Sequence, residues 1–311
     1  MKNRYRLIAF RLAAISIILC AGLFSSFAQV CNIPAPAAEC TPPTTWNHDK
    51  VVNTSVTWAS LGIGSADNVT QKIRISGTGT VTVKDVNLIL KSSSAVVYLD
   101  GITFVVENGN IQLDASGSRF LMDGGALRTY GNFQQSSVGA TVVCIEGTAI
   151  DIGEEQNGPE FVPGQASTSA DWQNDNGYRY IKDCCINVTH DVQLQSSGSG
   201  TGLNGVDIWI NDCIEVGDRG NNDAITSDFG FADGDDSGNW QNSNNQSIYN
   251  TTIAVANGNY QNNQGIMTLC DVRVKVNKSG NFQVNNGTLK GQNLCVAVED
   301  VFENSATWTL T

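Results

Sequence analysis

Two polar stretches hold the residues best suited to chemistry. Asp233-Gly234-Asp235-Asp236-Ser237-Gly238 opens like a calcium loop, with side-chain oxygens at the first, third and fifth positions and glycine at the sixth. The bidentate Glu that closes an EF-hand loop is absent, and Asn244 stands there instead. Asp228 lies close enough in sequence to complete an oxygen set, as do Asp218 and Asp223. The candidate Ca²⁺ ligands are therefore Asp233, Asp235, Ser237 and Asp228. The second feature is a repeat: Trp172-Gln173-Asn174 returns as Trp240-Gln241-Asn242. An indole face beside amide hydrogen-bonders suits a sugar ring, which stacks its C–H face on an aromatic. Trp172, Gln173, Trp240 and Gln241 are the candidate ligand-binding residues. Against this stands the plainer reading of each Trp as apolar filling. Cys184-Cys185 lacks the spacer that paired metal ligands use.

These stretches sit in an exported chain. Lys2, Arg4, Arg6 and Arg11 precede an apolar run from Leu12 to Phe27, and Ser26-Phe27-Ala28 offers the small residues of a signal-peptidase site. Cleavage is expected before Gln29, leaving no membrane-inserted segment. The bulky Leu19 before Cys20 argues against lipid attachment. A glutamine at the new N-terminus resembles exported proteins of the Bacteroidota, so a bacterial source is expected. Residues 29–50 form a Pro-rich leader, and 51–311 the main domain.

The whole chain carries 18 Lys+Arg against 30 Asp+Glu, and the signal removes four of the cations. So acidic a body is unsuited to neutralising phosphates, which excludes nucleic acid and disfavours an anionic membrane surface. Only 15% of residues are charged; Asn, Gln, Ser, Thr and Gly supply the remaining polarity, and no helical apolar period follows residue 50.

Short strands are instead expected at Ile73–Ile75, Val81–Val83, Val86–Leu90, Val96–Leu99, Ile102–Val106, Ile111–Leu113, Phe120–Met122 and Ala126–Tyr130. Gly/Asn/Asp/Ser turns separate them. Gly131-Asn132-Phe133-Gln134 recurs as Gly280-Asn281-Phe282-Gln283. Cys144, Cys185, Cys213 and Cys295 each open a similar short strand, with Cys270 a doubtful fifth. Repetition at uneven intervals is what stacked coils with loops of variable length leave behind. The fold expected is all-β, a parallel β-helix (β-solenoid) with long loops at 153–177 and 217–247. A β-sandwich or jelly roll is the alternative. Eight cysteines remain after cleavage, in a compartment where disulfides persist; a local Cys31–Cys40 bridge is expected across the leader. The strand-like end, Ala306 to Thr311, has no capping segment and reads as part of a longer chain.

This pattern resembles the right-handed parallel β-helix class of pectate lyases, polygalacturonase-like hydrolases and bacterial surface adhesins. The resemblance spans about residues 70–311 and rests on architecture. Family catalytic motifs do not match: His48 and His190 lack flanking glycines, and Asp235-Asp236 and Arg273-Val274-Lys275 are isolated fragments. A lyase base could come from Lys182, Arg179, Arg219 or Arg273, with no spacing to prefer one. The expected role is a secreted or cell-surface binding or adhesion protein, recognising a glycan or surface polymer through calcium-stiffened loops. A carbohydrate-active enzyme (polysaccharide lyase or glycoside hydrolase) and a passive stalk are the alternatives.

Overall fold

The computed structural model describes residues 31–135, 140–153, 170–195, 202–217, 238–256, 258–276, 280–298, 302–304 and 307–310. Within these the chain winds through three parallel sheets of eleven, ten and nine strands, here named A, B and C. Each coil passes A, B and C in turn and places its strands beside those of the coil before. Every strand pairing is parallel. That is the expected solenoid, and it rules out the antiparallel sandwich. Strands rise along the stack at about 4.8 Å per coil.

The sequence winds this way because each strand alternates. In the sheet B strand Thr80–Lys84, Val81 and Val83 point inward and are buried. Successive coils then stack like on like. Val81 lies under Phe104, Leu127, Ile150, Ile186, Ile214, Ile253 and Val274. One coil cannot shield its apolar face, so neighbours supply the core. Sheet C adds stacked rings: Phe133 on Trp172 (centroids 5.3 Å), Trp240 on Tyr260 (5.8 Å) and Tyr260 on Phe282 (5.0 Å). Below the first full coil, the single turn Trp58–Leu61 tucks Trp58 edge-on to Phe104 and covers the end of the core.

The A-to-B corner requires a left-handed residue in coil after coil. Gly101, Gly124 and Gly147 fill it first, then Asp183, Asn211, Asn250, Asp271 and Asn293, all at positive φ. Asn and Asp tolerate this region better than other side chains. Here they also ladder: Asn211 Nδ2 donates to Asp183 Oδ1 and Asn250 Nδ2 to Asn211 Oδ1 (2.8 and 2.9 Å).

The leader corrects the sequence reading. Cys31 and Cys40 are not joined to each other: Cys31 pairs with Cys270 and Cys40 with Cys144. Both partners lie on the outer side of sheet A, whose apolar residues Leu121, Tyr180, Ile208 and Tyr249 would otherwise face water. Residues 31–47 cross this face as a strap. Ala37 N donates to Tyr178 Oη (3.1 Å), and Arg119 Nη1 donates to the carbonyls of Glu39 and Thr41. Trp46 stacks on Tyr98 at 5.9 Å. Burial of this second apolar cluster, rather than closeness in sequence, selects the pairing. The cysteine pattern divides likewise. Cys185, Cys213 and Cys295 open strands of sheet B, whereas Cys144 and Cys270 lie in sheet A. Cys185 stacks on Cys213 in register, and the two form a third disulfide joining neighbouring coils.

Three disulfides are the mark of an oxidising compartment. Among the described residues no helix is long and apolar enough to cross a membrane. The signal segment 1–28 lies outside them.

Candidate functional site

Sheet C is narrow: most of its strands have three residues, and only the middle side chain points outward. That residue is Gln112, Gln134, Gln173, Gln193, Gln241, Gln261 and Gln283 on seven successive coils. The amides are hydrogen-bonded to one another at four of the six steps between coils. Gln112 Nε2 donates to Gln134 Oε1 (2.9 Å), Gln134 to Gln173 (2.7 Å), Gln173 to Gln193 (3.3 Å) and Gln261 to Gln283 (2.8 Å). Each is half-buried, so its outer amide edge still meets solvent.

A second column runs beside the first, one residue before each strand. It reads Asn87, Asn110, Asn132, Asp171, Asp191, Asn239, Asn259 and Asn281. Each Oδ1 from Asn87 to Asn259 accepts the backbone N–H of the next member, at 2.7–3.1 Å throughout. The residue before that is glycine at Gly109, Gly131, Gly238, Gly258 and Gly280. A Cβ at Gly258 would lie 1.8 Å from Gly238 O, and one at Gly280 1.9 Å from Gly258 O, so these coils approach too closely for a side chain. The unit is Gly-Asn-apolar-Gln, and two adjacent coils break it: Ala170-Asp171-Trp172-Gln173 and His190-Asp191-Val192-Gln193.

The break gathers charge. His190 Nδ1 lies 2.7 Å from Asp171 Oδ1 and 3.7 Å from Asp191 Oδ2. An ionised carboxylate only accepts, so Nδ1 donates to Asp171, and in the neutral tautomer that fits this bond Nε2 is the basic nitrogen. The second oxygen of each acid is held by the glutamine two residues on. Gln173 Nε2 donates to Asp171 Oδ2 (3.2 Å) and Gln193 Nε2 to Asp191 Oδ2 (3.1 Å). Exposure falls from 35% at His190 to 18% at Asp171 and 8% at Asp191. One ligand atom from each of the three lies within 4.8 Å of the others. The described chain resumes at this B-to-C corner at Ala170 and again at Gly238.

The predicted sugar-binding residues divide. Trp172 and Trp240 are wholly buried strand residues, not loop residues, and their rings belong to the interior stack. Neither indole can meet a sugar, because each occupies an inward position where coils with smaller side chains carry Ile111 and Val192. Gln173 and Gln241 do face outward, in one column with Gln193 between them. Asp228, Asp233, Asp235 and Ser237 lie outside the described residues, as does Arg219.

Arg179 points into the core, over Trp172 at 4.5 Å, with Nε 3.8 Å from Asp207 Oδ1. Asn174 and Asn244 each donate to Asp207 at 2.8 Å. Burial pushes Arg179 down to about 10, so the guanidinium stays charged at neutral pH. So deep a group is a structural ion pair, not a base that a polymer could reach. Lys182 is held on sheet A by Glu146 and Asp183.

The His-Asp corner was missed in sequence because neither residue is unusual alone. The signal is the departure of two coils from Gly-Asn-apolar-Gln, visible only once they are aligned with the five that keep it. Comparison of the chain with protein-family models, curated proteins and solved structures returns no match.

Proposed function

We infer that this chain is an exported, bacterial β-solenoid binding protein, cleaved before Gln29, that presents sheet C and its B-to-C corner to a glycan or similar polar polymer. The observation that carries this reading is the column of outward glutamines from Gln112 to Gln283, half-buried among the described residues. It repeats one donor–acceptor pair per coil, at a spacing of about 4.8 Å, with the His190 corner beside it. With the indoles buried, recognition rests on amide hydrogen bonds rather than ring stacking. Calcium held by Asp228, Asp233, Asp235 and Ser237 would stiffen the segment that rejoins the fold at Gly238.

The test is a glycan array, followed by affinity electrophoresis on soluble polysaccharides, with and without calcium. Gln134→Ala/Gln173→Ala/Gln241→Ala should weaken retardation at least tenfold in a protein that still melts cooperatively. Equal retardation of the variant, or no glycan bound by either, would discard the ladder as a recognition surface and favour a passive stalk. One observation favours catalysis instead: Asp171 orients His190 with Nε2 left basic, a pairing that suits a general base in a lyase or hydrolase. Turnover of uronate polymers that is lost in His190→Gln would establish that second reading.

A further inference from the structure

The His190 corner has a donor set that the amide ladder alone does not call for. The column before the strands uses only Oδ1 as an acceptor of the next coil's N–H, and asparagine meets that need at five of the seven positions that make the bond. Asp171 and Asp191 supply the same acceptor, but they bring two carboxylates one coil apart. Like charges at such spacing oppose each other unless something positive lies between. On the same coils the glycine column gives way to Ala170 and His190, which admits an imidazole to the gap. Three changes from the repeat therefore converge on one point: two hard oxygen donors and a nitrogen donor.

We propose that Asp171, His190 and Asp191 bind a first-row divalent transition metal of the zinc class. Imidazole with carboxylates suits Zn²⁺, Mn²⁺ or Ni²⁺, whereas Ca²⁺ takes an all-oxygen shell. His190 Nδ1 is one ligand atom, with Asp171 Oδ1 at 2.7 Å and Asp191 Oδ2 at 3.7 Å from it as the other two. The ion replaces the proton that Nδ1 now shares with Asp171. Gln173 steadies Asp171 through its other oxygen, Oδ2, and Gln193 orients Asp191 by donating to the ligand oxygen itself, the role of hydrogen-bond partners around metal ligands. The open side is the one on which His190 is 35% exposed. This site does not depend on the polymer reading, since it needs neither the glutamine column's outer edge nor any glycan.

The test uses the full-length secreted protein, stripped with chelator and titrated calorimetrically with Zn²⁺, and with Co²⁺ followed by visible absorption. The expected result is one equivalent of Zn²⁺ per chain at micromolar or lower Kd, and a Co²⁺ d–d spectrum. Asp171→Asn/Asp191→Asn restores the residue found elsewhere in the column, so the metal-free variant should melt within a few degrees of wild type while losing the Co²⁺ spectrum. Gln173→Ala/Gln193→Ala should keep the spectrum and weaken Zn²⁺ roughly tenfold to a hundredfold. Should the asparagine variant fail to fold, ¹⁵N spectra of the wild type decide the matter: Zn²⁺ must shift the His190 Nδ1 resonance. Unchanged Zn²⁺ binding in the asparagine variant, an unmoved His190, or no Zn²⁺ binding by the wild type would overturn the site.

Discussion

Sheets A and C enclose the same core and follow the same parallel register, yet their outer faces solve opposite problems. The outer face of A carries Leu121, Tyr180, Ile208 and Tyr249, and it is closed by the 31–47 strap with two disulfides. The outer face of C carries a glutamine column whose amides bond one another at four of six steps, and among the described residues no chain segment packs across it. An apolar outer face demands a cover. A self-bonded polar face tolerates water and leaves room for a ligand. Sequence alternation alone hardly separates the two, since both sheets alternate. What separates them is the chemistry of the outward residue.

The largest effect should come from removing the cover. The Cys40–Cys144 bridge closes a loop of 104 residues, and Cys31–Cys270 one of 239. A loop of about 100 residues corresponds to about 4–5 kcal/mol in the chain-entropy model, with 2–5 kcal/mol typical of native bridges. Cys40→Ser/Cys144→Ser should therefore lower Tm by about 10 °C and expose residues 31–47 to protease. A change of under 2 °C would mean that the apolar contacts hold the strap unaided, and the contrast between faces would then rest on packing alone.

A smaller effect concerns acids that act as backbone acceptors at the corners. Asp191 does this at the edge of sheet C. Asp212 does it at the A-to-B corner, accepting from Cys184 N and Ile210 N at 2.9 Å each. Burial raises the Asp212 carboxyl to about 8 despite those two donors. An acid raised in the folded state holds more protons there than in the unfolded chain. Its contribution is therefore fully present below the ordinary carboxylate range and is lost as pH rises to about 8. Denaturant midpoints should fall between pH 5 and 9 by the equivalent of a few kcal/mol. Asp212→Asn should flatten that slope, whatever it does to absolute stability. An unchanged slope would assign the pH dependence elsewhere.

The legibility of the molecule follows the same division. Strands such as Val81–Val83 and Ile111–Leu113 were readable because period-two burial writes itself locally. The repeat behind sheet C was read at only two of its Gly-Asn-apolar-Gln sites. The intervals between coils vary, from 20 residues between Gln173 and Gln193 to 48 between the coils of Gln193 and Gln241. The strap was illegible for a different reason. Cys31 and Cys40 sit near each other in sequence, and only the outward apolar cluster on sheet A shows why each seeks a distant partner. Trp172 was misplaced because its polar neighbours Gln173 and Asp171 belong to the opposite side of the same strand, and the polar surroundings hid an inward position.

The smallest effect is the one that separates surface from scaffold. Gln134 is bonded on both sides, accepting from Gln112 and donating to Gln173. Gln134→Ala removes both contacts, but the face is half-exposed, and the amides left behind can bond water. A typical net hydrogen bond contributes about 1 kcal/mol, and solvent recovery reduces that further. The expected loss is under about 1 kcal/mol, or no more than about 4 °C in Tm. A loss near that of the disulfide variant would make the ladder a structural rib, as tightly committed as the strap. Sheet C would then have few hydrogen-bonding edges to spare for a polymer. A near-neutral change would leave the column free to exchange its bonds with a ligand, and the differing fates of the two faces would follow from one choice per strand: apolar outward, or glutamine.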